Sequence, residues 1–390
     1  MAAADLRVGG PTGMIHLATP RSAYVHVPFC RHRCGYCNFS VIAGRDELAD
    51  DYLAALATEL SLLGTPQPVD TLYVGGGTPT RLSVEQLDRL CETLAHWHPL
   101  APGGEYTFEA NPEDLDPARV ERLAAWGVNR LSLGAQSFDN AKLGTLERGH
   151  TGFDTAAAMA LAKRHGMRTA VDLIFAAPGE TLGVWRADVA ALLELEPDHV
   201  STYGLTFEKG TSFWNRREQG ALPQSPETLE RQMYELAIDT LTAAGLEHYE
   251  VSNFAKPGRR SRHNQVYWSG APYFAAGCGA ARYVAGVRST NHRSPTTYIK
   301  RTREGGLPIA EMERLSDEER AREHLVFALR RIEGVGRVDF QAAAGKPLEE
   351  VAGEPIARFV AEGLLTDDGD RVRLTREGLM VSDALWPELL

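Results

Sequence analysis

Short apolar runs alternate with longer segments of helical spacing between residue 24 and about residue 245. This alternation is typical of βα units that build a parallel sheet with helices on its outer face. The predicted strands are Tyr24–Pro28, Thr71–Val74, Tyr106–Ala110, Arg130–Leu133, Thr169–Ile174 and Val200–Leu205. Six such units predict an α/β fold, an incomplete (β/α)6 TIM-like barrel that is open on one side.

Helix boundaries are marked by residues that satisfy the free backbone groups of a first or last turn. Ser83 and Gln86 are spaced as a capping box, in which each side chain bonds the other residue's backbone N–H. Asp116-Pro117 and Ser225-Pro226 each place an N-cap before a proline at the first helical position, and Gly127 suits a helix end.

The pattern changes after residue 245. A loop-rich extension follows, with the basic stretch KPGRRSRH at 256–263. The last region opens with a helical segment at 315–331 and closes with two short strands around the turn 367–370, an order that predicts a winged-helix-like module. We therefore divide the chain into an N-terminal arm (1–20), a barrel (21–245), an extension (246–308) and a C-terminal α+β module (309–390).

Composition excludes several classes of protein. Of the 390 residues, 43% are hydrophobic and 24% are charged, as is ordinary for a folded chain. The formal charge of −11 disfavours nucleic acid as a partner. The first twenty residues hold no signal-peptide core, and no apolar run is long enough to span a bilayer, so we expect a cytoplasmic protein.

Three of the five cysteines, Cys30, Cys34 and Cys37, lie within eight residues directly after the first predicted strand. Such a group is a poor disulfide framework and a good metal site. Three thiolates can bind three irons of a 4Fe–4S cluster and leave the fourth iron open to a ligand. A zinc knuckle or three inert core cysteines are the alternatives, although His32 lies too close in the loop to complete a closed zinc site.

The predicted strands end in polar or backbone-exposing groups. The second ends in Gly75-Gly76-Gly77-Thr78, the third in Glu109 and the fourth in Gln136, while the fifth carries Asp172. Because functional groups of βα barrels lie at the C-terminal ends of the strands, we expect these residues to meet in one site.

The segments YVHVPFCRHRCGYCNF and VGGGTPT resemble radical S-adenosylmethionine proteins. The resemblance is to the branch that contains oxygen-independent coproporphyrinogen III oxidases and HemW-type heme chaperones, and it extends from Tyr24 to about residue 385. It implies a 4Fe–4S cluster on Cys30, Cys34 and Cys37 whose open iron binds S-adenosylmethionine.

The same resemblance implies which residues surround these cofactors. Tyr24 and His26 are implied to line the cluster pocket. The implied S-adenosylmethionine contacts are Tyr36, Gly76, Gly77, Thr78, Glu109, Gln136, Arg148, Asp172, Thr206 and Ala281. Whether they serve one or two S-adenosylmethionine molecules is left open, and no catalytic residue is assigned. Ala281 and Arg282 stand where the family has His-Ser.

Three features favour the chaperones over the oxidases. Phe39 stands where the oxidases carry a further cysteine, only 23 residues precede Tyr24, and HNQVYW at 263–268 matches the HNxxYW motif of the chaperones. The resemblance thus implies heme as a ligand and apo-hemoproteins of the respiratory chain as partners, with the cytoplasmic face of the membrane as one place of transfer. Oxidative decarboxylation of coproporphyrinogen, or another radical reaction on a tetrapyrrole, is the alternative. A homodimer is left open.

His263 is the residue that we expect to bind heme, because neutral imidazole is the usual axial ligand of heme iron. The basic loop before it could pair with the two heme propionates through Lys256, Arg259, Arg260 and Arg262. The alternative is a solvated basic loop in which His263 is hydrogen-bonded within the protein and the HNxxYW motif braces the loop through Asn264 and Trp268.

Overall fold

The computed structural model describes residues 19–390, so nearly all of the expected N-terminal arm lies outside the described residues. The strands are β1 (Ser22–Val27), β2 (Phe29–Cys30), β3 (Ile42–Ala43), β4 (Val69–Gly76), β5 (Leu100–Ala110), β6 (Arg130–Gln136), β7 (Arg168–Phe175), β8 (His199–Gly204), β9 (Glu247–Glu250), β10 (Asn253–Ala255), β11 (Phe274–Ala276), β12 (Ala281–Val284), β13 (Val287–Asn291), β14 (Ile309–Arg314), β15 (Val335–Gly336), β16 (Leu365–Asp367) and β17 (Arg371–Leu374).

The helices are α1 (Ala49–Ser61), α2 (Val84–Trp97), α3 (Pro117–Ala125), α4 (Asn140–Thr145), α5 (Gly152–Arg164), α6 (Leu182–Glu194), α7 (Ser212–Glu218), α8 (Glu227–Ala243), α9 (Arg262–Trp268), α10 (Pro295–Arg303), α11 (Asp317–Arg330), α12 (Arg337–Ala344), α13 (Leu348–Ala361), α14 (Arg376–Met380) and α15 (Ser382–Leu389). Within residues 19–390, no helix is both long and apolar enough to cross a membrane.

Nine strands form the main sheet in the order β11-β1-β4-β5-β6-β7-β8-β10-β9. The six central strands are parallel, and helices connect them in the predicted βα order. All six predicted strands are present, which confirms the incomplete (β/α)6 barrel. The extension supplies β11 in parallel on one edge and the β9–β10 hairpin in antiparallel on the other.

Most predicted helix signals are confirmed. Ser83 and Gln86 form both bonds of the capping box, and the Asp116 carboxylate accepts the backbone N–H of Arg119 ahead of Pro117. Gly127 follows α3 with φ +83°, a left-handed conformation that glycine adopts at little cost. The predicted cap at Ser225 is wrong, because Pro226 is the N-cap of α8 and the Ser225 hydroxyl instead donates to the Ala176 carbonyl.

Alternate residues of each central strand face opposite sides of the sheet. Residues such as Val25, Leu72 and Phe108 face the helices and form a hydrophobic core with α1 to α3. A second hydrophobic core lies between the strands β6, β7 and β8 and the helices α5, α6 and α8. The opposite face of the strands lines the barrel interior, and there the residues are largely polar.

The C-terminal module has its own hydrophobic core of α11 to α13, α15 and the strands β15 to β17. The predicted turn at 367–370 joins β16 to β17 in an antiparallel pair, and β15 pairs with β17 on the other side. Three helices followed by this hairpin give the predicted winged-helix-like order.

Candidate functional site

The inward residues of the strands carry most of the polar chemistry of the barrel. The Tyr73 hydroxyl donates to Glu109 Oε1 at 2.7 Å, and the Gly76 N–H donates to Oε2 at 2.8 Å. On the neighbouring strands the Ser132 hydroxyl lies 3.5 Å from Asp172 Oδ2. These contacts link β4 with β5 and β6 with β7, and strand alternation turns both predicted carboxylates toward the interior.

A cavity of about 510 Å³ lies at the C-terminal ends of the strands. It is lined by the three clustered cysteines and by most of the predicted binding residues, namely Cys30, Cys34, Cys37, Tyr36, Gly76, Gly77, Thr78, Glu109, Gln136, Arg148, Asp172 and Thr206. The structure therefore brings twelve of the sixteen candidate residues to one place.

The cysteine loop leaves β1 and folds over this cavity. The Cys37 N–H donates to the Cys34 carbonyl at 3.0 Å, which closes a turn between two of the thiols, and the Thr78 hydroxyl lies 3.8 Å from Cys30 Sγ. Burial raises the pKa of the Cys30 thiol to about 12 and also raises the pKa of Cys37. A raised pKa favours the neutral thiol, and positive charge bound beside the sulfur, as a metal centre supplies, favours the thiolate.

Glycines bring the backbone close to the cavity at two positions. A Cβ on Gly77 would lie 2.8 Å from the Pro28 carbonyl carbon and the Phe29 oxygen. Gly76 has φ +108°, and a Cβ there would lie 2.3 Å from the His26 ring. Side chains at these positions would clash with His26 or with the backbone after β1, so glycine is needed for the close packing of this turn against β1.

Arg148 is a partly buried cation whose hydrogen-bond partners are neutral. Its Nη2 donates to Asn111 Oδ1 at 2.5 Å and to the Gly134 carbonyl at 2.8 Å, while Nη1 lies 3.7 Å from Cys34 Sγ. Its Nε is buried and has no acceptor within residues 19–390. A partly buried guanidinium whose Nε has no acceptor favours an anion nearby, so this residue fits a negatively charged group bound beside Cys34.

Two buried carboxyls face the same cavity. Burial raises the pKa of Glu109 to about 7 and that of Asp172 to about 6. The bonds from Tyr73 and Gly76 favour the ionised form of Glu109 but do not cancel the desolvation. A ligand ammonium or sulfonium would stabilise both carboxylates, so the pair is suited to a cationic ligand.

A second cavity of about 450 Å³ adjoins the first, and Gly76 and Glu109 line both. Three further candidates, Tyr24, His26 and Ala281, lie here. The Tyr24 hydroxyl donates to His26 Nδ1 at 3.0 Å, and His26 Nε2 donates to the Ser40 carbonyl at 2.8 Å. Both ring nitrogens are thus bonded, and burial lowers the pKa of His26 to about 4.

His263 lines neither cavity. It is 1% exposed, its Nδ1 lies 2.8 Å from Thr71 Oγ1, and its Nε2 lies 2.9 Å from the Tyr267 hydroxyl. Because the Thr71 hydroxyl donates to Ser22, Nδ1 carries the ring proton and Nε2 accepts from Tyr267. In this arrangement His263 is a buried, fully bonded residue rather than an open heme ligand.

The basic loop before His263 is largely engaged within the protein. Lys256 Nζ donates to the Glu196 carbonyl at 3.1 Å, Arg259 lies 3.5 Å from Asp198, and Arg260 Nε lies 2.9 Å from Glu247. These bonds tie the loop to the β8 edge of the sheet. Arg262 Nη1 likewise donates to the Gly103 carbonyl at 2.8 Å. Each of the four basic residues therefore already has a partner within the protein, and an anion such as a propionate would have to use their remaining donors.

The replacement of the family His-Ser pair has a structural counterpart. Arg282 Nη1 lies 3.6 Å from Glu59 Oε1, and Glu59 is buried with the Tyr298 hydroxyl at 2.6 Å and the Asn291 amide at 2.7 Å. Arg282 therefore contacts a buried polar cluster around Glu59. Ala281 lines the second cavity with only a methyl side chain.

Sequence reasoning missed several residues that line the two cavities. Asn111 holds Arg148 and also donates to Thr78 Oγ1 at 3.0 Å, and Tyr203 lines the first cavity beside Asp172. Arg293 and Tyr273 line the second. Asn111 and Tyr203 were accessible to prediction, because each lies at the C-terminal end of a strand.

Two family models match the chain. The model described as the radical SAM superfamily matches residues 24–191, and the model described as the HemN C-terminal domain matches residues 315–381. These ranges cover the barrel strands up to β7 and most of the C-terminal module.

Curated relatives match nearly the full length. The chain is 34% identical to the heme chaperone HemW of Bacillus subtilis, a match that covers 95% of this chain and 99% of that one. It is 37% identical to HemW of Mycobacterium tuberculosis over 95% of both chains, and 32% identical to HemW of Escherichia coli over 94% and 97%.

Among solved structures, the coproporphyrinogen III oxidase HemN of Escherichia coli matches 95% of this chain and 90% of its own, with a TM-score of 0.84 at 23% identity. At this identity the likeness shows the shared fold.

Proposed function

The chain belongs to the family of its heme chaperone HemW relatives, within the radical SAM superfamily, and we propose that it binds heme and delivers it to apo-hemoproteins. The observation that carries the proposal is the near full-length similarity to several HemW proteins at 32% to 37% identity. Delivery to hemoproteins of the respiratory chain, in the cytoplasm, is part of the same proposal.

Membership of the radical SAM superfamily implies a 4Fe–4S cluster and S-adenosylmethionine. We assign the cluster to Cys30, Cys34 and Cys37, because all three line one cavity beside the Arg148 guanidinium. When bound, this pair of cofactors supplies one-electron reductive chemistry. The first test is Cys34→Ser, which we expect to abolish the visible absorbance of a reconstituted cluster.

In this proposal the remaining residues of the first cavity bind and orient the cofactors. Arg148 provides positive charge for a carboxylate or for the cysteinates, and Glu109 and Asp172 provide negative charge for an ammonium or sulfonium. Gly76 and Gly77 let the backbone approach the ligand. Tyr73 holds Glu109 in place and thereby fixes which way its carboxylate faces.

We retain His263 as the proposed heme ligand, with one requirement added. The unprotonated nitrogen of the ring, Nε2, is the atom that could bind iron. Its lone pair accepts a hydrogen bond from the Tyr267 hydroxyl at 2.9 Å. Tyr267 must therefore release His263 before an iron can bind. Tyr267→Phe should keep heme binding, because it removes the hydroxyl that competes for Nε2, although the ring of residue 267 must still move aside to uncover His263. His263→Ala should abolish heme binding.

The experiment that tests the function is a hemin titration of the anaerobically reconstituted protein, followed by a coproporphyrinogen turnover assay. Stoichiometric heme binding that is lost in His263→Ala, retained in Tyr267→Phe and unaccompanied by turnover would support the chaperone. Multiple turnovers of coproporphyrinogen would overturn it in favour of the oxidase. Loss of heme binding in Tyr267→Phe would overturn the assignment of His263 alone.

A further inference from the structure

A third cavity, of about 280 Å³, lies between the barrel extension and the C-terminal module. Its walls come from β9, the basic loop, α9 and the segment that follows α11. Three arginines line it, Arg260, Arg262 and Arg331, against one carboxylate, Glu333. The lining therefore carries an excess of positive charge in a chain whose formal charge is −11.

Two buried N–H donors on this lining have no acceptor within residues 19–390. They are Nε1 of the Trp268 indole and Nε of Arg331. The Arg330 guanidinium lies 4.5 Å from the centre of the Trp268 ring and holds the ring in place from behind. A buried donor without an acceptor costs about 1–3 kcal/mol, so both side chains would gain stability if they turned toward a bound group with acceptor oxygens.

The arginines are fixed in ways that leave donors for a ligand. Arg260 uses Nε for Glu247, and its guanidinium lies 5.4 Å from the centre of the Tyr249 ring. Arg262 uses Nη1 for the Gly103 carbonyl at 2.8 Å, and Arg331 uses Nη1 for Glu333 at 3.1 Å. Each guanidinium has five N–H donors, so most of the donors of each side chain are not used by these bonds.

We infer that this cavity is a binding site for a small oxyanion, a phosphate or a short carboxylate. Guanidinium groups bind such anions by charge-assisted hydrogen bonds, and an indole N–H adds a donor of fixed direction. The volume lies just below the roughly 300–1,000 Å³ of pockets for larger ligands. A porphyrin therefore reaches this cavity only through a carboxylate side chain.

The site requires neither the cluster nor S-adenosylmethionine, although Arg260 and Arg262 are among the residues that the sequence suggests for the heme propionates. Phosphate binding is measured without heme, so its failure is distinguishable from a failure of the proposed function. Its ligand contacts α9 on the barrel side and Arg331 on the side of the C-terminal module. Binding would therefore also stabilise the contact between these two parts of the chain.

The test is isothermal titration of the full chain with inorganic phosphate and, separately, with succinate, at constant ionic strength with chloride as the balancing ion. We expect one saturable site. Arg331→Gln should weaken it about 10-fold or more, because it removes a charge-assisted bond, and Trp268→Phe should weaken it about 2- to 10-fold, because it removes one neutral donor and keeps a ring. Arg186→Gln, an exposed arginine of α6, is the control and should bind normally.

A second measurement, on protein without a substitution in the site, distinguishes loss of binding from poor folding of a variant. In protein labelled with ¹⁵N-tryptophan, the Trp268 indole resonance is assigned by its absence from Trp268→Phe, and phosphate should shift it. Absence of saturable binding to either anion, or normal binding by both variants, would overturn the inference. Displacement of phosphate by hemin but not by its dimethyl ester would identify heme carboxylates as the source of the anion, and displacement by neither would identify a free anion.

Discussion

Glu109 is the residue whose charge state is most sensitive to what the first cavity contains. Its folded pKa, about 7, lies above the ordinary value of 4.5 because the carboxyl is buried. A carboxyl with a raised folded pKa contributes stability that is complete below pH 4.5 and is lost as the pH rises through 7. The protein without ligand therefore carries a destabilising charge at pH 8, and Asp172 adds a second in the same direction.

We predict that Glu109→Gln stabilises the ligand-free protein at pH 8 and not at pH 4.5. One unit of pKa shift corresponds to about 1.4 kcal/mol, so the gain at pH 8 should reach about 1–3 kcal/mol after allowance for weaker bonds to Tyr73 and Gly76. Urea unfolding at the two pH values measures it, with Glu85→Gln as an exposed control. Equal stability of wild type and Glu109→Gln at pH 8 would contradict the buried-charge account.

Arg148 should influence the proposed cluster through charge. Reduction adds negative charge, and a partly buried cation 3.7 Å from Cys34 Sγ stabilises the reduced state. Arg148→Gln should therefore shift the midpoint potential to a more negative value. Arg33→Gln, which removes the same charge from an exposed position of the cysteine loop, should shift it less because water screens that charge. A redox titration followed by electron paramagnetic resonance compares them; equal shifts would contradict this role for Arg148.

The positions of residues at the first cavity are easier to predict from the sequence than the hydrogen bonds that those and other buried residues make. Strand-end position is visible in the chain, which explains why Glu109, Gln136 and Asp172 are placed correctly. The state of His263 is not visible, because it depends on Thr71, which is 192 positions away, and on Tyr267 across one helical turn. A histidine in a binding motif and a histidine bracing a core have the same local sequence.

At the scale of elements, capping residues and a buried ion cluster fix the positions of the barrel helices. Capping residues fix the starts of α2 and α3, so these helices are predictable from sequence. The loop that carries Arg148 follows α4, a six-residue helix that local signals alone would leave marginal. Lys142 of α4 is nearly completely buried, and its Nζ lies 2.6 Å from Glu180 and 2.9 Å from Asp188 of α6.

We predict that Lys142→Met is strongly destabilising, by about 3–5 kcal/mol, because it leaves two buried carboxylates without a cation. The exposed pair of Arg376 with Asp239 offers a control of similar geometry, with an N–O distance of 2.7 Å. Arg376→Gln should cost less than about 1 kcal/mol. Thermal unfolding of the three proteins provides the comparison, and similar losses for both variants would show that burial of the Lys142 cluster does not matter.

At the scale of the whole molecule, the extension and the C-terminal module are not predictable as partners of the barrel. The sequence indicates a loop-rich segment after residue 245, but β9, β10 and β11 complete both edges of the main sheet. Such short strands carry little local signal, and their pairing with β8 and β1 is set by tertiary contact.

The edge of this sheet continues into the C-terminal module through backbone bonds. The Val251 N–H donates to the Arg330 carbonyl at 3.0 Å, and the Ile332 N–H donates to the Tyr249 carbonyl at 3.2 Å. Glu250 between them is fully buried, and Val251 packs against the hydrophobic core of the module. Opening either side would expose this carboxyl and part of that core, so the two parts should open together.

We predict that hydrogen exchange will give segments 247–255 and 328–334 the same protection, well above that of the loop 305–308, which contains two glycines. Mass spectrometry of peptides from the full chain measures all three under one set of conditions. Because the strand pairing and the burial of Glu250 are shared, a mild denaturant should reduce protection of the first two segments in parallel. Earlier exchange of 328–334 than of 247–255 would mean that the module opens on its own and that the backbone bonds between them are too weak to couple the two parts.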